Sequence, residues 1–584
     1  MRIRGRSHTV NNRPVDRHPT GRRFQRSRLR ERRTGRLPAA ALCVLVASIA
    51  PRAESPAHPA RDAQIRTFAI SNVAKTTQKP PTRKPATRKP TTRKPATKKP
   101  ATKATTTANE PPTTTLPPVT AVGVQSGGDL QPPLVPTAIF AACTDSALDC
   151  TTVPVPLDHA NPGGTTVNLF VSRRRANDAS RRLGVLLVNP GGPGGPAYDT
   201  VRSAATYLTP EMLDRFDIIG VDPRGTERSA PLACDASITN RFSRLTYAEQ
   251  LAEACASTDS ERLKFMDTET AARDLDDVRV ALGERKISYL GMSYGTYLGA
   301  VYESLFPGQV ASMVLDSAVD PSRFGVNMLV DPIIATEKAL DAFLAECQSG
   351  RLQPCAFNDG TDLNAKYLAV RERAISSSRS NRELATQRFD QTVAGLVGYP
   401  RNGWPVLGRA LEEQNSTGRG NFRAASADNL ASSNDEQLTP RDSFSTATNL
   451  SINCRDGILP RDSNADQVVR DQISASPRFS GLSSNALAAD TCETWPTPTA
   501  NLVALRRAPV ALLIIGNTFD LTTPYPWSEA LSRTLAAPLL TRNGGGHVAV
   551  NKSRCVREAV ARLFIDRTLP VPGTVCSPDL ANPS

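Results

Sequence analysis

The chain has few histidines. There are five in 584 residues, and His8, His18 and His58 all stand within the first sixty positions. No apolar run reaches the roughly 18 residues that a membrane-spanning helix needs, which excludes a polytopic membrane protein. No C-x-x-C pair and no Cys/His cluster occurs, so neither a zinc site nor any other metal is expected, and no organic cofactor is implied. Residues 75–104 contain no acidic side chain at all.

That last absence explains the charge. The formal net charge of +15 invites nucleic acid or an anionic surface as partner. Its distribution decides otherwise. Residues 1–36 carry 13 Arg against Asp16 and Glu31, and residues 75–104 carry 11 Lys and Arg. Residues 1–135 hold a net +21, which leaves −6 for residues 136–584. The larger part has no basic footprint, so no nucleic-acid partner is expected.

The N-terminal quarter reads as targeting and tether. The apolar run Leu37–Ala50 fits a signal-peptide core behind a basic segment, with Ser48 and Ala50 as a small-x-small site. Residues 1–50 are therefore expected to be a leader and residues 51–135 a disordered basic Pro/Thr/Lys-rich linker. Within the linker, PTRKP, ATRKP, TTRKP and ATKKP repeat with period five, and a proline in each repeat blocks helix. Residues 75–104 are a solvated spacer or an attachment to an anionic cell wall or membrane surface. The expected location is secreted or envelope-associated.

Cysteine usage agrees with an oxidising compartment. With Cys43 set aside in the leader, ten remain, and ten permit about nine hundred pairings. The expected set joins sequential neighbours: Cys143 with Cys150, Cys234 with Cys255, Cys347 with Cys355, Cys454 with Cys492, and Cys555 with Cys576.

From residue 183 the chain alternates short apolar runs with helical patterns. LGVLLVNP (183–190), FDIIGVD (216–222), KISYLG (286–291), ASMVLDS (311–317) and APVALLIIG (508–516) fit central parallel strands. Ala272, Leu275, Val278 and Leu282 recur at helical spacing between them. Leu157–Val171 reads as an earlier antiparallel part. The fold class is α/β, a mostly parallel sheet.

One strand ends in GMSYG, Gly291–Gly295, the G-x-S-x-G pattern of a nucleophile elbow. A sharp strand-to-helix turn would present Ser293. The base is expected at His547, in RNGGGHVAV, because His159 in PLDHANPGG reads as a solvated turn residue. The acid should lie between nucleophile and base in the chain. Asp520 follows a strand directly, whereas Glu529 falls in the helical run PWSEALSRTL. An oxyanion hole needs backbone N–H groups. Tyr294 supplies one, and NPGGPGGP supplies the other from Gly192, with Gly191 as the alternative. The chemistry this implies is acyl transfer on a peptide or ester.

These residues resemble a known family. NPGGPGG, VDPRGTERS, the elbow with its following helix, GNTFDLTTP and GGGH together are similar to the secreted tripeptidyl aminopeptidase-like α/β-hydrolases, relatives of prolyl aminopeptidases. The resemblance runs from about Cys143 to Cys576. It implies an α/β-hydrolase fold with an inserted helical cap, a Ser293–His547–Asp520 triad, and release of short peptides from free N-termini. Glu227 and Pro196-Ala197 depart from the family pattern in loops near the pocket.

The expected layout is core at 136–320, cap at 321–505, with helices at 336–347 and 464–476, and core again at 506–584. A pocket that grips an α-amine needs a carboxylate, for which Glu337, Asp341, Asp456 and Asp490 are the candidates. The leading expectation is an exported serine aminopeptidase. The alternatives are a carboxylesterase or lipase with the same triad, and a non-catalytic envelope-binding protein.

Overall fold

The computed structural model describes residues 136–577, apart from 145–146, 237–246, 353–354, 380, 421–445, 463, 474–475, 477, 483–490 and 508. The leader, the basic linker and Asp490 lie outside the described residues.

The chain forms β1 (Ala141–Ala142), β2 (Asp149–Pro156), β3 (Thr166–Arg174), β4 (Gly184–Asn189), β5 (Phe216–Val221), β6 (Ile287–Met292), β7 (Val310–Asp316), β8 (Ala511–Phe519), β9 (Leu539–Gly545) and β10 (Val575–Cys576). Among the described residues these make one sheet, in the order β1-β2-β3-β5-β4-β6-β7-β8-β9-β10. Pairing is antiparallel from β1 to β5 and parallel from β5 to β10.

The continuous apolar runs have a simple cause: β5 and β6 are buried along their whole length. Side chains alternate between two faces. Val185, Leu187, Ile219, Leu512 and Ile514 enter one core with α5 (Thr268–Ala281), α6 (Tyr294–Leu305) and α13 (Tyr525–Leu535). Leu186, Val188, Ile218, Leu513 and Ile515 enter the opposite core with α1 (Tyr198–Arg202), α2 (Pro210–Arg215) and α14 (Arg554–Asp566). Helices on both faces of a parallel sheet are the layered solution that such strands require.

Between β7 and β8 lie α7 (Asn327–Gln348), α8 (Leu363–Ser376), α9 (Arg382–Val397), α10 (Gly403–Thr417), α11 (Thr446–Arg455) and α12 (Ala465–Ile473). They share a third core around Leu340, Phe343, Tyr367, Val393, Leu407 and Phe479. Leu251 and Cys255 of α3 (Tyr247–Thr258), Leu263 of α4 (Ser260–Leu263) and Met266 belong to the same core. The helical layer therefore also draws on chain that precedes the elbow.

The five disulfides join Cys143–Cys150, Cys234–Cys255, Cys347–Cys355, Cys454–Cys492 and Cys555–Cys576, closing loops of 7 to 38 residues. Loops of this size stabilise by about 2–4 kcal/mol each.

Two sequence expectations change. The antiparallel part is not Leu157–Val171: β2 and β3 flank a turn at residues 157–165. Pro154 and Pro156 disguise β2 as loop. They are tolerated because β1 reaches only Asp149 and Cys150, which leaves the rest of β2 with β3 as its one neighbour. His159, within that turn, is not a solvated turn residue. It is largely buried, bonds Asp274 at 2.9 Å and faces Asp277 at 3.7 Å. Arg224 also binds Asp274 there and donates to the carbonyls of Pro156 and Leu157. The pair of acids draws the imidazole inward, where short-range sequence shows only turn residues.

Candidate active site

The elbow follows from two close approaches. A side chain at Gly291 would collide with the Gly295 carbonyl oxygen, and one at Gly295 would lie 2.6 Å from Asn189 Oδ1. Only glycine lets β6 and α6 meet at this angle. Ser293, between them, takes φ 56° and ψ −129°, a strained conformation for a residue with a side chain. Its N–H donates to the Asp316 carbonyl at 3.0 Å, and its own carbonyl accepts from Thr296 Oγ1 at 2.6 Å. Those bonds hold the turn across β6, α6 and β7.

Asp520 and His547 sit on the loops after β8 and β9. His547 Nδ1 lies 2.9 Å from Asp520 Oδ2 and 3.1 Å from Oδ1. Asp520 is 1% exposed and also accepts from the backbone of Thr522 and Thr523 and from Thr523 Oγ1. Burial pushes its carboxyl up, but the facing imidazole and these donors outweigh that and hold it below the usual carboxylate range. A carboxylate on Nδ1 fixes the ring so that Nε2 faces away from the acid. His547 Nε2 is buried and has no hydrogen-bond partner, so the bond to Ser293 Oγ is not formed in this state.

Two residues that sequence reasoning passed over hold the histidine loop. Asp316, the last residue of β7, is fully buried and accepts from the N–H of Ala549 and of Val550. Burial lifts its carboxyl to about 6 against the pull of those donors. Ser317 Oγ accepts from the N–H of Val548 at 2.9 Å. The available signal was position: Asp316 ends a parallel strand, the edge where such sheets place their chemistry.

The loop after β4 presses on the elbow. A side chain at Gly191 would lie 2.6 Å from the Met292 carbonyl oxygen and 2.8 Å from Ser293 Cβ, and its φ of +98° suits only glycine. The Gly191 N–H donates to Asn189 Oδ1 at 2.9 Å and is thereby committed. Gly192 and Tyr294 both line the cleft over Ser293.

That cleft encloses about 550 Å³ of empty space, counting the part open to solvent. Apolar walls come from Val319, Met328, Ile458 and Leu459, with Thr522 and Thr523 beside the acid loop. Asn449 and Asn453 of α11 supply side-chain amides. Asn449 Nδ2 donates to the Pro193 carbonyl at 2.9 Å, which ties the helical layer to the glycine loop. Neither asparagine carries a sequence motif. Only the return of α11 over β4 brings them here.

The three described carboxylate candidates for an amine pocket, Glu337, Asp341 and Asp456, do not line the cleft. Glu337 and Asp341 both bind Arg478, at 2.6 and 2.7 Å. Asp456 is buried behind Tyr294, where Thr268 Oγ1 bridges the Asp456 carboxylate and the tyrosine hydroxyl. It lines a separate cavity with Asp267 and Arg455. Among the described residues no cluster of side chains could hold a metal ion.

Comparison with known proteins agrees with this fold. Residues 184–406 match the family described as alpha/beta hydrolase fold, and residues 479–576 match the family described as TAP-like protein. The chain is 42% identical to the tripeptidyl aminopeptidase of Streptomyces coelicolor over 197 residues, 30% of this chain. That match spans only 36% of the length of the Streptomyces protein. It is 28% identical to serine protease Hip1 of Mycobacterium tuberculosis over 464 residues, covering 73% of this chain and 87% of that protein. It is 30% identical to carboxylesterase B of the same organism over 459 residues, covering 74% and 86%.

Proposed function

The chain belongs to the TAP-like α/β-hydrolase family, and from that premise we propose that it is an exported serine hydrolase working through an acyl-enzyme. The observation that carries the reading is the Asp520–His547 pair, a buried carboxylate bonded to Nδ1 with Nε2 left free, together with a serine on a strained elbow whose cleft Thr522 and Thr523 of the acid loop also line. In this reading Ser293 Oγ attacks a carbonyl carbon, and its proton passes to His547 Nε2. The C–O bond forms as the carbonyl π electrons move to oxygen. Collapse of that adduct expels the amine or alcohol, protonated by His547. Water then repeats the sequence and frees the acid. The Ser–His bond forms when substrate orders the site, as is common for catalytic hydrogen bonds that are long in the free enzyme.

The developing oxyanion falls to the N–H groups of Gly192 and Tyr294. Gly192 is favoured over Gly191 because the Gly191 N–H donates to Asn189 Oδ1. Removing one such donor costs roughly 10²–10³ in kcat.

The leading substrate is a peptide with a free N-terminus, supported by the 42% identity to a tripeptidyl aminopeptidase over the segment that matches. A second reading, ester hydrolysis, is favoured by the cleft itself, whose lining among the described residues holds no carboxylate. Fluorophosphonate labelling tests the shared chemistry: Ser293→Ala is expected to abolish labelling and to cut turnover by on the order of 10⁴–10⁶. Full activity in that variant would end the proposal. Rates on peptidyl anilides with and without N-terminal blocking then separate the substrates, since a rate indifferent to blocking rejects the aminopeptidase. Export is supported by the five disulfides and the basic-then-apolar N-terminus. No helix among the described residues is long and apolar enough to cross a membrane.

A further inference from the structure

The two asparagines in the cleft form a hydrogen-bond chain whose polarity is set at one end. The Pro193 carbonyl oxygen can only accept, so the group that Asn449 turns toward it, at 2.9 Å, is the amide nitrogen. Asn449 Oδ1 is then on the other side of its carboxamide and also can only accept. The Asn453 group at 2.9 Å from it must therefore be the Asn453 nitrogen. Asn453 Oδ1 is left as the end of the chain. No hydrogen bond among the described residues uses it, and it is not among the side-chain atoms sealed from solvent without a partner. Asn453 lines the cleft over Ser293.

The acceptor is held rather than free to swing. Asn449 and Asn453 stand four residues apart on α11, one above the other on the same face. Thr448 Oγ1 anchors that helix to the Gly225 carbonyl at 2.6 Å, and Cys454 is bonded to Cys492. Around the acceptor the cleft is walled by Val319, Met328, Ile458 and Leu459. When a ligand displaces water from such a site, an acceptor left without a donor pays the full desolvation penalty. A ligand that brings a donor avoids it.

We propose that Asn453 is a specificity-determining residue: its Oδ1 accepts a hydrogen bond from a nitrogen-borne donor on the acyl side of the substrate. The favoured substrates are thus aminoacyl or peptidyl compounds, and simple fatty-acyl compounds are disfavoured. The inference rests on the acyl-enzyme reading, in which the acyl group occupies the cleft over Ser293. Two donors share this chemistry, the ammonium group of a free N-terminus and the amide N–H of a blocked or longer peptide. Through Asn449, the same residue also steadies the Pro193 loop, and that second role acts on every substrate alike.

The test uses the purified full chain and three p-nitroanilides: alanyl-alanyl, N-acetyl-alanyl-alanyl, and butyryl, whose acyl group has no nitrogen. Fluorophosphonate titration of Ser293 comes first. A wild type that is neither labelled nor active overturns both the acyl-enzyme reading and this one. Given a labelled enzyme, Asn453→Leu is expected to lower kcat/KM for the nitrogen-bearing substrates about tenfold more than for the butyryl compound. The loss common to all three reports on the Pro193 loop, so the ratio isolates recognition. Asn453→Asp keeps the shape and charges the acceptor. A raised preference for the free over the acetylated peptide assigns the ammonium group as the donor. Equal response of those two, with the butyryl compound left behind, assigns the amide N–H. Equal change across all three substrates in both variants overturns the proposal and reduces Asn453 to a support for the loop.

Discussion

Asp316 accepts the backbone N–H of Ala549 at 2.9 Å, bridging the end of β7 to the residue two past His547. The same carboxylate takes the N–H of Val550 at 2.8 Å, so one buried acid sets where the histidine loop lies. Asp316→Ala would strand two buried donors, at about 1–3 kcal/mol for each. The expected result is a lower melting temperature and a fall in kcat larger than any change in KM. A variant with normal kcat would show that the loop holds its place without Asp316.

Asp520→Asn keeps the size of the side chain but turns an N–H₂ or a neutral oxygen toward His547 Nδ1. The imidazolium formed during acyl transfer then loses its counter-charge. The expected fall in kcat is about 10⁴ with the fold retained. Circular dichroism checks the fold, and burst kinetics on an activated ester check the rate. A loss under tenfold would reassign the acid.

Gly191→Ala tests the loop pressed on the elbow. Its Cβ would meet the Met292 carbonyl oxygen and Ser293 Cβ, both backbone or rigid neighbours, at a φ that alanine disfavours. The loop must shift, carrying Gly192 away from the oxyanion. Labelling by fluorophosphonate should slow at least tenfold, because it needs the same oxyanion stabilisation. Unchanged labelling would place the hole elsewhere.

Burial raises the Asp456 carboxyl to about 7, reinforced by nearby Asp267 and opposed by the Thr268 donors and Arg455. A free aspartate titrates near 4. The folded state therefore binds this proton more tightly than the unfolded chain does. The stability it contributes is present in full below about pH 4 and is lost as pH rises through about 7. Asp456→Asn should flatten the fall in melting temperature between pH 5 and pH 8 relative to wild type. Parallel curves for the two proteins would show that Asp456 titrates normally.

Deleting residues 75–104 should release the protein from cell envelopes at low ionic strength, where a screened attraction of 11 positive charges is strongest. Unchanged partitioning would leave that stretch as a spacer.

Much of the site was legible because its local geometry is written in short strings. G-x-S-x-G demands glycine on both sides of Ser293 for contacts made within five residues. Asp520 directly follows an apolar strand, and His547 follows a short apolar run after a glycine-rich turn. Histidine is so scarce that only His159 and His547 could serve as the base outside the N-terminal quarter. The same locality made the sequential cysteine pairing readable. β2 was missed because its prolines look like loop until an open edge is known, and His159 because its partners, Asp274 and Asp277, lie more than a hundred residues away.

The sequence by itself determined the α/β class, the elbow and the residues that flank it, since each depends on periodicity or on contacts between near neighbours. Tertiary structure alone decided what surrounds them. Asn449 reaches Pro193 across 256 residues and Asp316 reaches Ala549 across 233. A hydrogen bond depends on distance in space and leaves no period in the chain. That is why Glu337, Asp341 and Asp456, named as candidates for an amine pocket, lie elsewhere, while two unmarked asparagines stand in the cleft.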